Sequence, residues 1–84
     1  MVWTTLYEDY YCGGTFGIDR KELMANDLEQ CREAVDSDSE CSSTMYHCSP
    51  YWGFQCRCVM KDKSCTKKYG SSWNCKVETK GVIS

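Results

Sequence analysis

The chain has 84 residues and a net charge of −2, and eight of its residues are cysteine. A chain of this length forms one domain, residues 1–84, and buries too little apolar surface to be stable without cross-links. This composition excludes an ordinary cytosolic domain and predicts a secreted or extracellular protein held by disulfides. The sequence has no run of roughly 18 apolar residues, the length that a membrane-spanning helix needs, so we expect no membrane span.

The spacing of the cysteines favours disulfides over zinc. Structural zinc sites use closely paired ligands such as C-x2-C, whereas the only close pair here is Cys56 and Cys58, and His47 is the single histidine. We therefore expect no metal and no cofactor. We expect disulfide bonds at all eight cysteines, namely Cys12, Cys31, Cys41, Cys48, Cys56, Cys58, Cys65 and Cys75.

The N-terminus carries no secretory signal, because residues 1–12 contain neither a basic n-region nor an apolar h-region. Since the cysteines still indicate an oxidising compartment, we expect a mature form or an excised domain. Charge is unevenly distributed. Residues 1–42 carry ten acidic against three basic side chains (−7), and residues 43–84 carry two against seven (+5). Such a split predicts a surface field that can steer partners.

The first predicted element is a strand over residues 2–11, since Trp, Thr, Tyr and Val favour extended backbone. Cys12-Gly13-Gly14 ends it. Residues 19–22 then have an acid at each end with the spacing of a capping box, which predicts a first helical turn there.

The main helix is predicted over residues 27–35, because the capping spacing repeats at its start. One helical face of this segment is apolar and carries Leu28, Cys31 and Val35.

The residues after the helix, 36–40, are acidic and predict a solvated loop. Asp36, Asp38 and Glu40 alternate in a way that suggests a calcium ligand set. A calcium loop of the EF-hand type also needs glycine at its sixth position, where this chain has Cys41, and a distal glutamate. We therefore expect no calcium site.

A period of two in hydrophobicity predicts three more strands, over residues 43–48, 54–60 and 73–78. In each strand one of the two alternating faces carries cysteine and is predicted to be buried. A turn at residues 49–53 and a basic loop at 61–72 separate them. The prediction is an α+β fold with one helix packed on an antiparallel sheet of about four to five strands, and with a frayed tail at 79–84.

The order of these features resembles the PAN/apple domain family over residues 10–77. The resemblance lies in five segments, which are Cys12-Gly13-Gly14 after the first strand, the capped helix start from Asp27 to Cys31, the acidic loop that ends at Cys41, the aromatic Thr44-Met45-Tyr46, and the strand from Cys56 to Lys61.

In PAN-like domains a disulfide joins the helix to the central sheet. The resemblance therefore implies a bond from Cys31 to Cys56 or Cys58, and a second bond from Cys12 to Cys75.

The chain departs from the apple-type pattern at Val35. Apple-type members have a second helix cysteine at that position, bonded to the cysteine that ends the acidic loop. Cys41 lacks this partner here, so we expect a Cys41–Cys48 bond, with Cys65 bonded to whichever strand cysteine Cys31 leaves free.

A catalytic role for His47 finds little support. It is the one side chain expected to act as a base near neutral pH, and three serines, Ser42, Ser43 and Ser49, lie near it in sequence. The chain has no nucleophile elbow and no acid evidently placed to orient the ring. We interpret His47 as an exposed strand histidine and expect no enzymatic activity.

Tyr51, Trp52 and Phe54 form an aromatic group at a Pro–Gly turn between two cysteines. Aromatic side chains on a braced loop suit recognition of a protein or a sugar. The alternative interpretation is that these rings cover the small core.

A basic segment, Lys61, Lys63, Lys67 and Lys68, predicts a second surface that could bind a sulfated glycan or another polyanion. The alternative is a solvated hairpin tip. The disulfides and the acidic overall balance argue against nucleic acid as a partner.

Together these features predict a secreted, non-catalytic recognition or adhesion module that binds an extracellular protein or glycan, as PAN-like modules do within larger extracellular proteins. One alternative is a free-standing cystine-rich signal protein, pheromone-like factor or toxin acting on a receptor. Another is an enzyme inhibitor that presents residues 49–54 as a rigid loop.

Overall fold

The computed structural model describes residues 2–81 and has the predicted α+β class. Within that range, five antiparallel strands form the main sheet in the order β1-β7-β4-β5-β3, and β2 pairs with β6 in a separate two-stranded sheet. The elements are β1 Val2–Glu8, β2 Tyr10–Cys12, β3 Arg20–Leu23, α1 Leu28–Ser37, β4 Cys41–Cys48, β5 Gln55–Met60, β6 Lys67–Tyr69, a 3₁₀ helix Ser71–Trp73, and β7 Lys76–Gly81.

The helix forms where the sequence predicts it. The Asp27 carboxylate is the N-cap and accepts the backbone N–H of Gln30 at 2.8 Å, which satisfies one of the unpaired donors at the helix start. The helix runs two residues beyond the predicted end, to Ser37. Cys31 and Val35 are buried against the sheet, as the apolar face requires.

The prediction of a helical turn at residues 19–22 is wrong, because strand β3 begins at Arg20. The Asp19 carboxylate accepts the N–H of Thr15, which precedes it, at 2.9 Å, so it does not act as the predicted cap of residues 19–22. From Arg20 onward the backbone instead pairs antiparallel with β5. Hydrogen bonds to a neighbouring strand override a local capping signal that the sequence cannot weigh against them.

The C-terminal strand begins later than predicted. Trp73 lies in the 3₁₀ helix rather than in a strand, and Asn74 follows with φ of 52°. The predicted basic loop contains β6, which pairs with β2. Fraying was predicted from residue 79, but residues 79–81 pair with β1 and only 82–84 lie outside the described residues.

The central strands of the main sheet are buried on both faces, so the prediction of one buried face per strand is wrong for β4. The helix covers one face and the β2–β6 pair covers the other. The helix-side core contains Cys31, Val35, Cys41, Met45, Cys56 and Cys58. The opposite core contains Cys12, Tyr46, Cys48, Val59, Cys75 and Val77.

All eight cysteines are paired, two bonds on each side of the sheet. Cys31 bonds to Cys56, one of the two partners that the resemblance implied. The helix is thereby tied to the central sheet. On the same side Cys41 bonds to Cys58.

The other expected pairings are wrong. Cys12 bonds to Cys65, and Cys48 bonds to Cys75. The expected Cys41–Cys48 bond would join two cysteines in different cores, because side chains an odd number of residues apart on a strand point to opposite faces. Four disulfides indicate an oxidising environment. No helix in residues 2–81 has the length and apolar character needed to cross a membrane.

Candidate functional site

A pocket of about 250 Å³ opens on the side of the sheet opposite the helix. Its floor consists of side chains from β3, β4 and β5, and its walls come from β2, the β2–β3 loop and the 3₁₀ helix. We call it the arginine pocket, after two of the side chains that line it. The side chains that line the pocket include Tyr11, Phe16, Arg20, Tyr46, Arg57 and Trp73.

Strand register brings the two arginines to the same face. Arg20 pairs with Val59 across β3 and β5, and Arg57 pairs with Tyr46 across β5 and β4. Because alternate residues of a strand share a face, Arg57 and Val59 point away from the helix, as does Arg20 opposite Val59.

Arg20 is held in the pocket by uncharged acceptors. Its guanidinium donates to the Tyr46 hydroxyl at 2.6 Å, to the carbonyl of Cys12 at 3.1 Å and to the carbonyl of Gly14 at 3.0 Å. Among residues 2–81 no carboxylate lies within ion-pair distance of it. Burial raises the pKa of Tyr46 above its ordinary value despite this cation, so the hydroxyl stays protonated and the charge of Arg20 is not neutralised.

Arg57 is only weakly compensated. It donates to the side-chain oxygen of Gln55, and at 3.3 Å to the carboxylate of Glu22, which is largely exposed. Because the Glu22 carboxylate of this pair is exposed, salt screens it and it compensates the charge of Arg57 only weakly. The Phe16 ring lies beneath both guanidiniums, with its centroid 3.9 Å from Arg20 Cζ and 5.3 Å from Arg57 Cζ. The pocket is therefore electropositive and aromatic.

The aromatic loop, residues 49–53, adjoins this pocket. Tyr51 is 97% exposed and Trp52 is 55% exposed. The Ser49 N–H donates to the carbonyl of Trp73 at 3.0 Å, and the Trp52 and Trp73 rings meet edge to face with centroids 6.2 Å apart. The Cys48–Cys75 bond fixes the start of the loop. Tyr51 and Trp52 therefore do not cover the core, and the hydrogen bond and the disulfide hold the backbone of their loop in place.

Phe54 is separated from the other two predicted aromatic residues. It is half-buried, stacks on His47 with ring centroids 5.8 Å apart, and packs against the helix-side core. Its place is structural.

Several residues of the pocket were missed from sequence. Arg57 lies between Cys56 and Cys58, and its alternation with these buried cysteines could have placed it on the opposite face. Arg20 was assigned to a helical turn, which hid its register. No local signal marks Trp73, because the Cys48–Cys75 bond brings it to the site.

The predicted basic residues Lys61, Lys63, Lys67 and Lys68 are all exposed. The structure places Lys67 and Lys68 on β6 and the other two in the segment after β5. In the described part of the chain none of the four has an ion-pair partner. Lys67 Nζ lies 4.5 Å from the centroid of the Tyr7 ring and 4.7 Å from that of Tyr10. Within residues 2–81, Lys67 therefore places an unpaired positive charge beside two aromatic rings.

The acidic residues 36–40 are neutralised by lysines. Lys21 Nζ lies 2.6 Å from Asp38 and 2.7 Å from Glu40, and Asp36 pairs with Lys80. The Lys21 hydrogen bond holds the pKa of Asp38 below its ordinary value. No group of three or more potential metal ligands lies together within residues 2–81. The charge split along the sequence is thus partly cancelled in space.

The prediction that His47 is exposed is wrong, since only 6% of it is accessible. It lies on β4 beneath the helix, and its Nε2 is 3.3 Å from Glu78, which is itself 2% exposed. Arg32 of the helix donates to both oxygens of Glu78, at 3.0 and 3.2 Å. Glu78 is an acid that the sequence did not place near His47. Because His47 and Glu78 are buried beneath the helix, we interpret the cluster as one that holds the helix on the sheet.

Stability should fall as the pH drops below about 6.5. Burial lowers the pKa of His47 below the ordinary 6.5. The positive charges of Lys76 and Arg32 lower this pKa further, and the hydrogen bond to Glu78 acts in the opposite direction. The unfolded chain then binds a proton that the folded chain excludes. Each pKa unit of lowering costs about 1.4 kcal/mol once both states are protonated. Thermal melts between pH 7.5 and 4.5 measure this.

His47→Gln is the control for that titration. It should flatten the part of the pH profile that lies just below 6.5 and leave the carboxylate titrations at lower pH in place. A profile identical to that of the wild type would show that another group is responsible.

Comparison of the chain with protein-family models, with curated proteins and with solved structures finds no match.

Proposed function

We propose that this protein is a secreted, non-catalytic recognition module of PAN/apple type that binds an extracellular protein or glycan through the aromatic loop and the adjoining arginine pocket. Support for the PAN/apple assignment comes from the sequence resemblance and from the Cys31–Cys56 bond, which ties the helix to the sheet. The four disulfides suit an extracellular location.

The observation that carries this proposal is the exposure of Tyr51 and Trp52 on a fixed backbone. Binding orders the groups that make contacts, and a loop that is already held loses less entropy when it binds. Large exposed aromatic rings next to a concave surface are typical anchors in interfaces. A role in covering the core would not leave these rings open to solvent.

Trp52→Ala tests the proposal. We expect the labelled protein to bind intact cells of the source organism, and the substitution to weaken this binding by about 2 kcal/mol or more, as loss of an aromatic anchor does. The melting temperature should stay nearly unchanged, because an exposed ring contributes little to folding. Pretreating the cells with a protease or with glycosidases distinguishes a protein partner from a glycan.

Met24→Ala is the matched control, since Met24 is 94% exposed and apolar but lies before the helix, away from the aromatic loop. It should leave binding intact. Equal losses for the two variants, or a large loss of stability in Trp52→Ala, would contradict the proposal.

The β6 lysines predict a separate, salt-dependent affinity for polyanions. Lys67→Glu combined with Lys68→Glu should abolish retention on a heparin column at low salt. Wild-type retention should fall steeply with added salt, because ions screen exposed charge contacts. Lys61→Glu combined with Lys63→Glu changes the net charge equally. If it has the same effect, retention reflects net charge rather than β6, and no retention of the wild type would contradict the prediction outright.

A further inference from the structure

The arginine pocket has a charge and a shape that specify more than recognition in general. We propose that it binds one hexuronic acid unit of a glycan, with the sugar carboxylate paired to Arg20 and Arg57 and the sugar ring packed against Trp73. This inference rests on the proposed recognition function and gives it a ligand class.

The positive charge of the arginine pocket favours a ligand that carries one carboxylate. Arg20 has three acceptors, none of them charged, and they occupy its Nε and Nη1, which leaves the two N–H groups of Nη2 to donate to a carboxylate. Within residues 2–81 the one acid paired with Arg57 is the exposed Glu22, whose contact of 3.3 Å a ligand can replace. The anionic group of a ligand would thus meet two cations whose positions are already fixed by Tyr46, Phe16 and the backbone.

The shape calls for a ring rather than an amino-acid side chain. The cavity of about 250 Å³ is smaller than the roughly 300–1,000 Å³ of sites for drug-sized ligands, so it accepts a single small unit. Tyr11 and Trp73 form an aromatic wall, with ring centroids 6.0 Å apart. The negative face of an aromatic ring packs well against the C–H groups of a sugar. An aspartate or glutamate side chain would supply the charge and leave this wall uncovered.

Neighbouring sugar units can continue along the surface. Trp52 meets Trp73 edge to face, so a glycan whose acidic unit fills the pocket passes directly onto the aromatic loop. Both surfaces would then contact one ligand, which explains why the loop is fixed to the pocket wall by the Ser49–Trp73 hydrogen bond.

The test is an NMR titration of the ¹⁵N-labelled protein with methyl β-glucuronide and with methyl β-glucoside, which differ only in the carboxylate at carbon 6. We expect the glucuronide to shift the Trp73 indole N–H signal and to bind about tenfold or more tightly than the glucoside, as a charge-assisted hydrogen bond requires. Equal affinities would overturn the proposal. N-acetylglutamate amide should bind at least about tenfold more weakly, and if it binds as tightly, the ligand is an acidic protein side chain.

Two variants change the charge of the pocket in opposite directions. Arg20→Gln should weaken glucuronide binding about tenfold or more. Glu22→Gln removes the competing carboxylate and should tighten binding about two- to fivefold. Because Glu22 is exposed, this variant keeps the test informative even if Arg20→Gln fails to fold. Lys76→Gln, on the helix side of the sheet and outside the pocket, should change nothing. Unchanged affinity in Glu22→Gln and in a folded Arg20→Gln would overturn the assignment.

Failure of this inference is distinguishable from failure of the proposed function. If glucuronide does not bind but cell binding still depends on Trp52, only the ligand class is wrong. If cell binding is also independent of Trp52, the recognition function is wrong as well.

Discussion

Replacing both Cys31 and Cys56 with alanine is expected to lower the free energy of unfolding by about 2–5 kcal/mol, enough to unfold much of a domain this small. The bond closes a loop with a sequence separation of 25 residues. Restricting such a loop in the unfolded chain is worth about 3.5 kcal/mol in the chain-entropy treatment. The expected loss corresponds to a melting temperature lower by about 4–8 °C for each kcal/mol.

The double replacement avoids the free thiol that Cys31→Ala alone would leave, which could exchange with other disulfides. Thermal unfolding followed by far-ultraviolet circular dichroism measures the change, and the helical signal should be lost first. A Cys12→Ala, Cys65→Ala variant provides the comparison. Its bond closes a longer loop, with a separation of 53 residues, and its removal should cost more. A melting curve for the Cys31 and Cys56 variant that matches the wild type would contradict the anchoring role.

Arg32→Met is expected to destabilise the fold by about 3 kcal/mol, the lower end of the usual penalty for leaving a buried charge without its partner, because Glu78 is buried but Arg32 is partly exposed to solvent. Glu78 is almost fully buried, and Arg32 meets both of its oxygens. Once the guanidinium is removed, the 3.3 Å contact with His47 is the one polar side-chain contact of the Glu78 carboxylate that remains within residues 2–81. Denaturant unfolding at neutral pH measures the difference.

Two controls separate charge from packing. Arg32→Met combined with Glu78→Leu removes both charges, so it should recover much of the lost stability, because an apolar pair of similar volume often replaces a buried ion pair without cost. Glu29→Gln, on the exposed face of the same helix, should lie within about 0.5 kcal/mol of the wild type. If the double variant is no more stable than Arg32→Met, the loss does not come from the unpaired carboxylate.

The sequence by itself determined the helix, whereas its attachment through Cys31 was implied by the family resemblance, which left Cys56 and Cys58 open as the partner. Asp27 at the cap and the spacing of Cys31 and Val35 act within ten residues, and local capping and periodicity are strong enough to set a helix of this length. The α+β class also followed from local patterns, since one helix and several alternating segments can bury their apolar faces only against one another.

Only the tertiary structure decided which faces of the strands are buried. Alternation separates the two sides of a strand but does not say how many of them are covered. Because both sides of β4 are covered, His47 is buried beside Glu78 rather than exposed, and Cys41 and Cys48 lie in different cores. Three of the four disulfides therefore differ from expectation.

The arginine pocket was also decided by tertiary structure. Its arginines, Arg20 and Arg57, lie 37 positions apart in sequence and meet through the pairing of β3 with β5. Trp73 joins them through the Cys48–Cys75 bond. Local propensity could place Tyr51 and Trp52 on a turn, but it left open whether their rings are exposed or cover the core. It could not place a second aromatic wall or two cations beside them, because strand register and disulfide pairing depend on contacts distant in sequence.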